Sequence, residues 1–159
     1  MHRYGLALLI VASPFSAFSA ETPKEGNYDY TACWSGVNNT ITFSKTHTGS
    51  SFELTGTLRS NPPGGMFDKS TFRCVGINAS LDGKVTASNV CETIDVDGDK
   101  RLLSFSNVDG KITRTNVAGT GKYEGMSLTS TVEQLGPFPA IKNGTFQGWN
   151  HPTGAYKLK

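Results

Sequence analysis

Three Asp-Gly pairs, in LDGK (81–84), VDGD (96–99) and VDGK (108–111), constrain this chain more than any other feature. Each lies between β-like runs. Asp-Gly suits the type I′ hairpin turn, in which both central residues need positive φ. Turns this close together imply short antiparallel strands joined in sequence. The runs between them agree: Tyr28, Tyr30, Ala32 and Trp34 share one parity, as do Ile41 and Phe43, then Phe52, Leu54 and Leu58, then Met126, Leu128 and Val132. A period of two is strand behaviour. No helical apolar pattern is sustained beyond the first twenty residues. Strands are predicted near 26–35, 39–46, 51–60, 71–81, 84–96, 99–108, 111–118, 125–135 and 144–158. NPPGG (61–65) makes a loop, and NHPTG (150–154) a last turn. The expected fold is an all-β, single-domain antiparallel meander that closes into a roughly eight-stranded barrel, since closure removes exposed edges.

The cysteines test the first hairpin. If Asp82 and Gly83 form its tip, Leu81 faces Lys84, and seven residues further along each strand Cys74 faces Cys91. That is a non-hydrogen-bonded pair, with Cα atoms about 4.5 Å apart and within disulfide reach. Turn chemistry and cysteine placement point to one register and a Cys74–Cys91 bridge. Cys33 is left as a free thiol or as one half of a dimer bridge. The same rule applied to VDGD puts Val90 opposite Phe105 and Glu92 opposite Leu103. Val75, Val90, Ile94, Leu103 and Phe105 then share an apolar face with Glu92 upon it. A carboxylate there is either a ligand-binding or acid–base group, or a strand-end residue turned outward by a bulge. VDGK gives no clean face under this rule.

Residues 1–19 read as a secretory signal peptide. A short basic start (His2, Arg3) precedes an apolar run from Leu6 to Ala12 and the small residues SPFSAFSA. A cut after Ser19 places Ala17 at −3; a cut after Ala20 would place Phe18 there. The mature domain, 20–159, is then periplasmic or secreted, in an oxidising space that favours disulfides. No later run is apolar enough for an integral membrane segment. Strands with Thr, Ser, Asn and Lys on both faces argue against an outer-membrane barrel. Without Arg3 the 15 basic residues become 14, against 13 acidic, and no Lys/Arg run exceeds two. Nucleic acid, which needs a basic stripe, is not an expected partner.

AGTGKYEG (118–125) resembles a phosphate loop only superficially. Asn116 stands where the first Walker glycine belongs, Tyr123 follows the lysine, and Glu124 occupies the third position of a dinucleotide fingerprint. Both motifs need a helix next, and MSLTSTVE alternates like a strand. The segment is therefore a glycine-rich turn. DVDGDK (95–100) misses the EF-hand pattern, with Gly98 fourth and Ser106 at the twelfth position, and reads as a hairpin tip. His47 and His151, both in predicted turns, assemble no metal or catalytic site. No cofactor, metal or catalytic residue is assigned. Tyr28, Tyr30 and Trp34 near the start and Phe138, Phe146 and Trp149 near the end would meet if first and last strands pair. Tyr28, Tyr30, Trp34, Glu92, Phe105 and Trp149 are the candidate cavity lining, with plain core packing as the other reading of the aromatics.

Two resemblances follow from these motifs. GTGKYEGM looks like the turn before a late strand in barrels of the allene oxide cyclase and dirigent kind, over roughly 96–135. It implies an eight-stranded antiparallel barrel, trimeric in some members, with a mostly apolar cavity. None of those families' functional residues match position by position, so none are carried over. YTACWSG, SNPPGG-MFD-FRCVG, DGDK and GTGKYEGM-TVE-LGPFP resemble small uncharacterised exported bacterial proteins over nearly the whole mature chain, and that resemblance brings no activity. The leading function is the binding of a small apolar ligand. A protein-interaction role in the envelope, as an oligomer such as a trimer, and a cyclase- or isomerase-type activity are the alternatives.

Overall fold

The computed structural model describes residues 22–136 and 138–159; the expected leader, 1–19, lies outside the described residues. The described residues form nine strands: β1 (Glu25–Thr42), β2 (His47–Ser60), β3 (Thr71–Leu81), β4 (Lys84–Ile94), β5 (Lys100–Val108), β6 (Lys111–Gly119), β7 (Ser127–Leu128), β8 (Thr131–Gln134) and β9 (Thr145–Lys157). All pair antiparallel in one sheet of order β6-β5-β4-β3-β2-β1-β9-β7, with β8 also on β9. The sheet curls into a half-barrel. The all-β antiparallel meander is as expected; among the described residues β6 and the β7/β8 edge share no backbone ladder, so the barrel is a half-barrel. Side chains span the seam instead. Arg114 Nη1 donates to Ser130 Oγ at 3.0 Å, and Asn116 Nδ2 to the Met126 carbonyl at 2.8 Å.

The curl has a side-chain cause. On the concave face, large aromatic rings lie across glycines on the neighbouring strand. Trp34 faces Gly148, Gly36 faces Phe146, Tyr28 faces Gly154 and Gly26 faces Tyr156 along β1–β9. Phe52 faces Gly76 and Gly56 faces Phe72 along β2–β3. A Cβ at Gly76 or Gly56 would come within 2.6 Å of the opposing ring, and one at Gly148 would overlap the Trp34 indole. Small against large lets the concave side shorten while the rings stay packed, which is how curved sheets are built.

Two differences from the sequence reading have the same origin. The first two expected strands split differently. β1 runs 18 residues without a break, because Gly36 serves ring packing and not a turn. NHPTG lies within β9, where Pro152 pairs with Val132 of β8 and falls at a gap in the β1–β9 ladder, a position that tolerates a proline.

The hairpins fix the registers. Asp82 (φ 51°) with Gly83, and Asp109 (φ 50°) with Gly110, form two-residue turns closed by Leu81–Lys84 and Val108–Lys111. The β3–β4 register pairs Cys74 with Cys91, which form a disulfide with Cα atoms 4.0 Å apart. The VDGD turn is wider than expected. Ile94 pairs with Lys100, and Asp95 caps the loop by accepting from the Asp97 and Asp99 amides at 2.9 and 3.0 Å. The register therefore slips by one, and a slip of one exchanges faces. Cys91, not Glu92, lies opposite Leu103, while Val75, Val90 and Glu92 face outward. In β6, Val117 is an extra residue between two paired stretches, a bulge.

One end of the half-barrel is packed solid. The 61–70 loop is tied by the Asp68 carboxylate, which accepts from the Ser60 and Gly64 amides, and it delivers Phe67 inward. Phe67 takes φ 72°, a left-handed conformation that a bulky residue keeps only where packing enforces it. Its ring meets Tyr28, Tyr30 and Tyr123 with centroids 5.3 to 5.9 Å apart. Met126, Tyr156 and Leu158 complete this core.

The glycine–ring account makes a direct prediction. Gly148→Ala should cost about 1–3 kcal/mol through overlap with Trp34. Gly49→Ala, in the same sheet but with open space at its Cβ, should stay within about 0.5 kcal/mol of the parent. Urea denaturation of both variants checks the difference.

Candidate functional site

The concave face encloses a cavity of about 250 Å³ above the packed end. Its lining runs from Thr93 and Arg101, beside the plug, to Asn107 and Ile112 near the β5–β6 tip. Leu54, Phe72, Leu103 and Phe105 make the walls apolar, and the Cys74–Cys91 bridge forms part of one side. Among the described residues no Asp or Glu lines it.

The polar side chains in this space are unusual. Arg101 is 1% exposed, inward-facing because β5 alternates from Arg101 through Leu103 to Phe105. Its guanidinium lies 3.7 Å from the Phe67 ring centroid and 5.5 Å from that of Tyr123. Those cation–π contacts offset part of the desolvation cost. Among the described residues no carboxylate pairs with it, and its Nε and Nη2 have no hydrogen-bond partner. Burial, with the like charge of Arg114 adding to it, pushes Arg101 below the ordinary arginine value. It stays cationic regardless. Arg114, on β6, stands over the Phe105 ring at 4.8 Å and donates to the Tyr30 hydroxyl at 2.9 Å. Arg114 Nε and Asn150 Oδ1 are also buried without partners. Buried polar groups in native proteins are nearly always satisfied, so this concentration marks the cavity as the candidate site.

The two sequence motifs that invited a nucleotide or calcium reading meet at the plug beneath it. Gly121–Tyr123 is a single 3-10 turn. Gly121 takes φ 51°, and a Cβ there would overlap the Asp99 carboxylate, which accepts from the Lys122 amide at 3.1 Å. Lys122 Nζ reaches Asp95 at 2.7 Å and also pairs with Asp97. The lysine ammonium thus occupies the space between those acids. Tyr123, 2% exposed, donates to Asp95 at 2.8 Å while its ring supports Arg101. GTGKYEG and DVDGDK are therefore two halves of one interlock that holds the cavity floor.

Of the six candidate lining residues, Tyr30, Trp34 and Phe105 do line the cavity. Tyr28 is buried below it in the packed end, its hydroxyl donating to the Thr129 carbonyl. Trp149 faces the convex side against Phe138, next to the half-buried free thiol of Cys33. Glu92 also faces outward, paired with Lys100 at 3.0 Å, as the one-residue slip requires. It supplies no carboxylate to the cavity. First and last strands do meet, as β1 and β9. His151 is not in a turn but in β9, with Nε2 2.8 Å from Asp29. Among the described residues no cluster of three metal-ligating side chains forms, and no helix is long and apolar enough to cross a membrane.

Sequence reasoning missed Arg101 and Arg114. Arg101 adjoins Lys100, and nothing local in the sequence separates it from a surface basic residue. Arg114 and Asn116 were the reason VDGK gave no clean face, since they alternate with Ile112 on the inward side of β6. That mixed face was the available signal. Compared with known proteins, the chain matches no family model, no curated protein and no solved structure.

The interlock is testable through acid. Burial alone would raise the Asp95 carboxyl, but Lys122, the Tyr123 hydroxyl and the Asp97 amide outweigh it and hold it below its ordinary 3.8. A depressed carboxylate stabilises the fold above its unfolded value and loses that contribution as pH falls through the folded value. Asp95→Asn should lower stability near neutrality by about 1–3 kcal/mol and flatten the loss seen in the parent below pH 3.8. Urea midpoints measured against pH would show both effects.

Proposed function

We propose that this is an exported binding module that takes a small, largely apolar molecule on the concave face of its half-barrel. The observation that carries the reading is the 250 Å³ cavity, walled by Leu54, Phe72, Leu103 and Phe105 and closed at one end by the plug. Ligand sites are typically concave and mostly apolar with a few placed polar groups, and this volume suits a compact molecule. The intramolecular Cys74–Cys91 disulfide supports a non-cytoplasmic setting; periplasmic or secreted location belongs to this proposal. A cyclase- or isomerase-type activity loses its one nominated group, because Glu92 lies outside the cavity.

A second reading has its own observation. Ile41, Phe43, Ile77 and Leu81, at the same end of β1–β3, and Ile141 are largely exposed, and apolar side chains gathered in this way suit protein contacts in the envelope or within an oligomer.

Native mass spectrometry of the mature protein, purified from an oxidising compartment, separates the two. The binding reading expects extra mass of small-molecule size that survives gentle desolvation and is displaced by organic solvent. A bare chain that travels with a stable protein partner, or only as a bare oligomer, would favour the interaction reading.

A further inference from the structure

We propose that the cavity's ligand is a compact organic carboxylate whose anionic head sits on Arg101, with Arg114 beside it and its apolar body against Phe72, Leu103 and Phe105. This rests on the binding reading above and adds the chemical class of the ligand.

The starting point is a buried cation with no counter-ion among the described residues. Arg101 is 1% exposed. Aromatic rings pack on it, Phe67 at 3.7 Å and Tyr123 at 5.5 Å, and among the described residues no carboxylate forms an ion pair with it. A guanidinium taken out of water with no anion is costly, and replacing such a charge by an apolar side chain is often neutral or stabilising. A fold that keeps one at its cavity floor departs from its own packing logic, and such departures concentrate at functional sites.

The free donors have a specific shape. Nε and Nη2, the two nitrogens without partners, lie along one edge of the planar guanidinium. That edge offers two parallel N–H groups, the fork that accepts both oxygens of a carboxylate. Arg114 uses Nη1 and Nη2 on Ser130 and Tyr30, which fixes its position, and leaves its buried Nε free. Three donors without partners and two positive charges are therefore buried at the wall of a space whose lining, among the described residues, includes Arg101 and Arg114 and no acidic side chain. Leu54, Phe72, Leu103 and Phe105 dominate the remaining wall, with Asn89, Thr93, Gln134 and Asn150 among its polar exceptions, so the anion's body is mostly apolar. A volume of about 250 Å³ favours a ring-sized molecule over a long chain.

The test uses paired probes on the mature, oxidised protein: benzoate, 2-naphthoate and hexanoate, each with its neutral alcohol counterpart, titrated by calorimetry. The parent should bind at least one carboxylate about tenfold or more tighter than its alcohol. Arg101→Met should cut that carboxylate's affinity by about 10- to 100-fold, the usual loss for a charge-assisted pair, and leave the alcohol unchanged. Ligand-free Arg101→Met should melt no lower than the parent. Should that variant fail to fold, Arg101→Lys keeps the charge but not the fork, and should lose carboxylate affinity while holding the alcohol. Equal binding of carboxylate and alcohol by the parent, or a preference that survives Arg101→Met, would overturn the proposal and leave the binding reading standing. No binding of any probe would remove both. A fall in melting temperature with unchanged binding would make Arg101 a structural cation and overturn the proposal.

Discussion

The packing of aromatic rings against cross-strand glycines is the constraint on which the rest of this structure depends. A flat sheet of these strands would have no inside. With Trp34 over Gly148, Phe146 over Gly36, Phe52 over Gly76 and Phe72 over Gly56, the concave face contracts and the long β1 strand becomes the spine of a half-barrel. Each pairing places a large apolar surface where a side chain opposite would exclude it. Curvature and burial therefore come from the same contacts, and the chain acquires a core without a second layer.

What the curl creates, the loops at one end then divide. Phe67, brought in by a strained left-handed residue, and Tyr123, anchored through Asp95, fill the barrel's base and leave the cavity above. Arg101 lies at the boundary between the two. Aromatic faces hold it, and two of its donors are buried without partners. Arg114 belongs to the seam as well as to the cavity, since it bridges toward Ser130 and Tyr30 where the two sheet edges lack a ladder. Arg114 is thus shared by the seam and the site, and a ligand that engages it would also bear on how the half-barrel holds together.

The fold was legible in the sequence wherever local chemistry dictates it. Asp82-Gly83 allows one turn geometry, and with the cysteines it set the β3–β4 register residue by residue. The parity of Tyr28, Tyr30, Ala32 and Trp34 marked the inward face of β1. Legibility failed where a side chain, not the turn dipeptide, sets loop length. Asp95 capping two amides widened VDGD, and that single residue sent Glu92 to solvent. The site suffered most, because its chemistry rests on the faces of β5 and β6. With VDGD misread and a bulge at Val117, Arg101 and Arg114 could not be placed on one surface. Their shared cavity is a long-range result of register, which no local pattern carries.

A crystal structure of the oxidised mature protein grown with 2-naphthoate tests the account most directly. It should show both carboxylate oxygens against Nε and Nη2 of Arg101, with the rings between Phe72, Leu103 and Phe105. An Arg101 paired with a carboxylate of the protein itself, or swung out to solvent with the cavity collapsed, would contradict it.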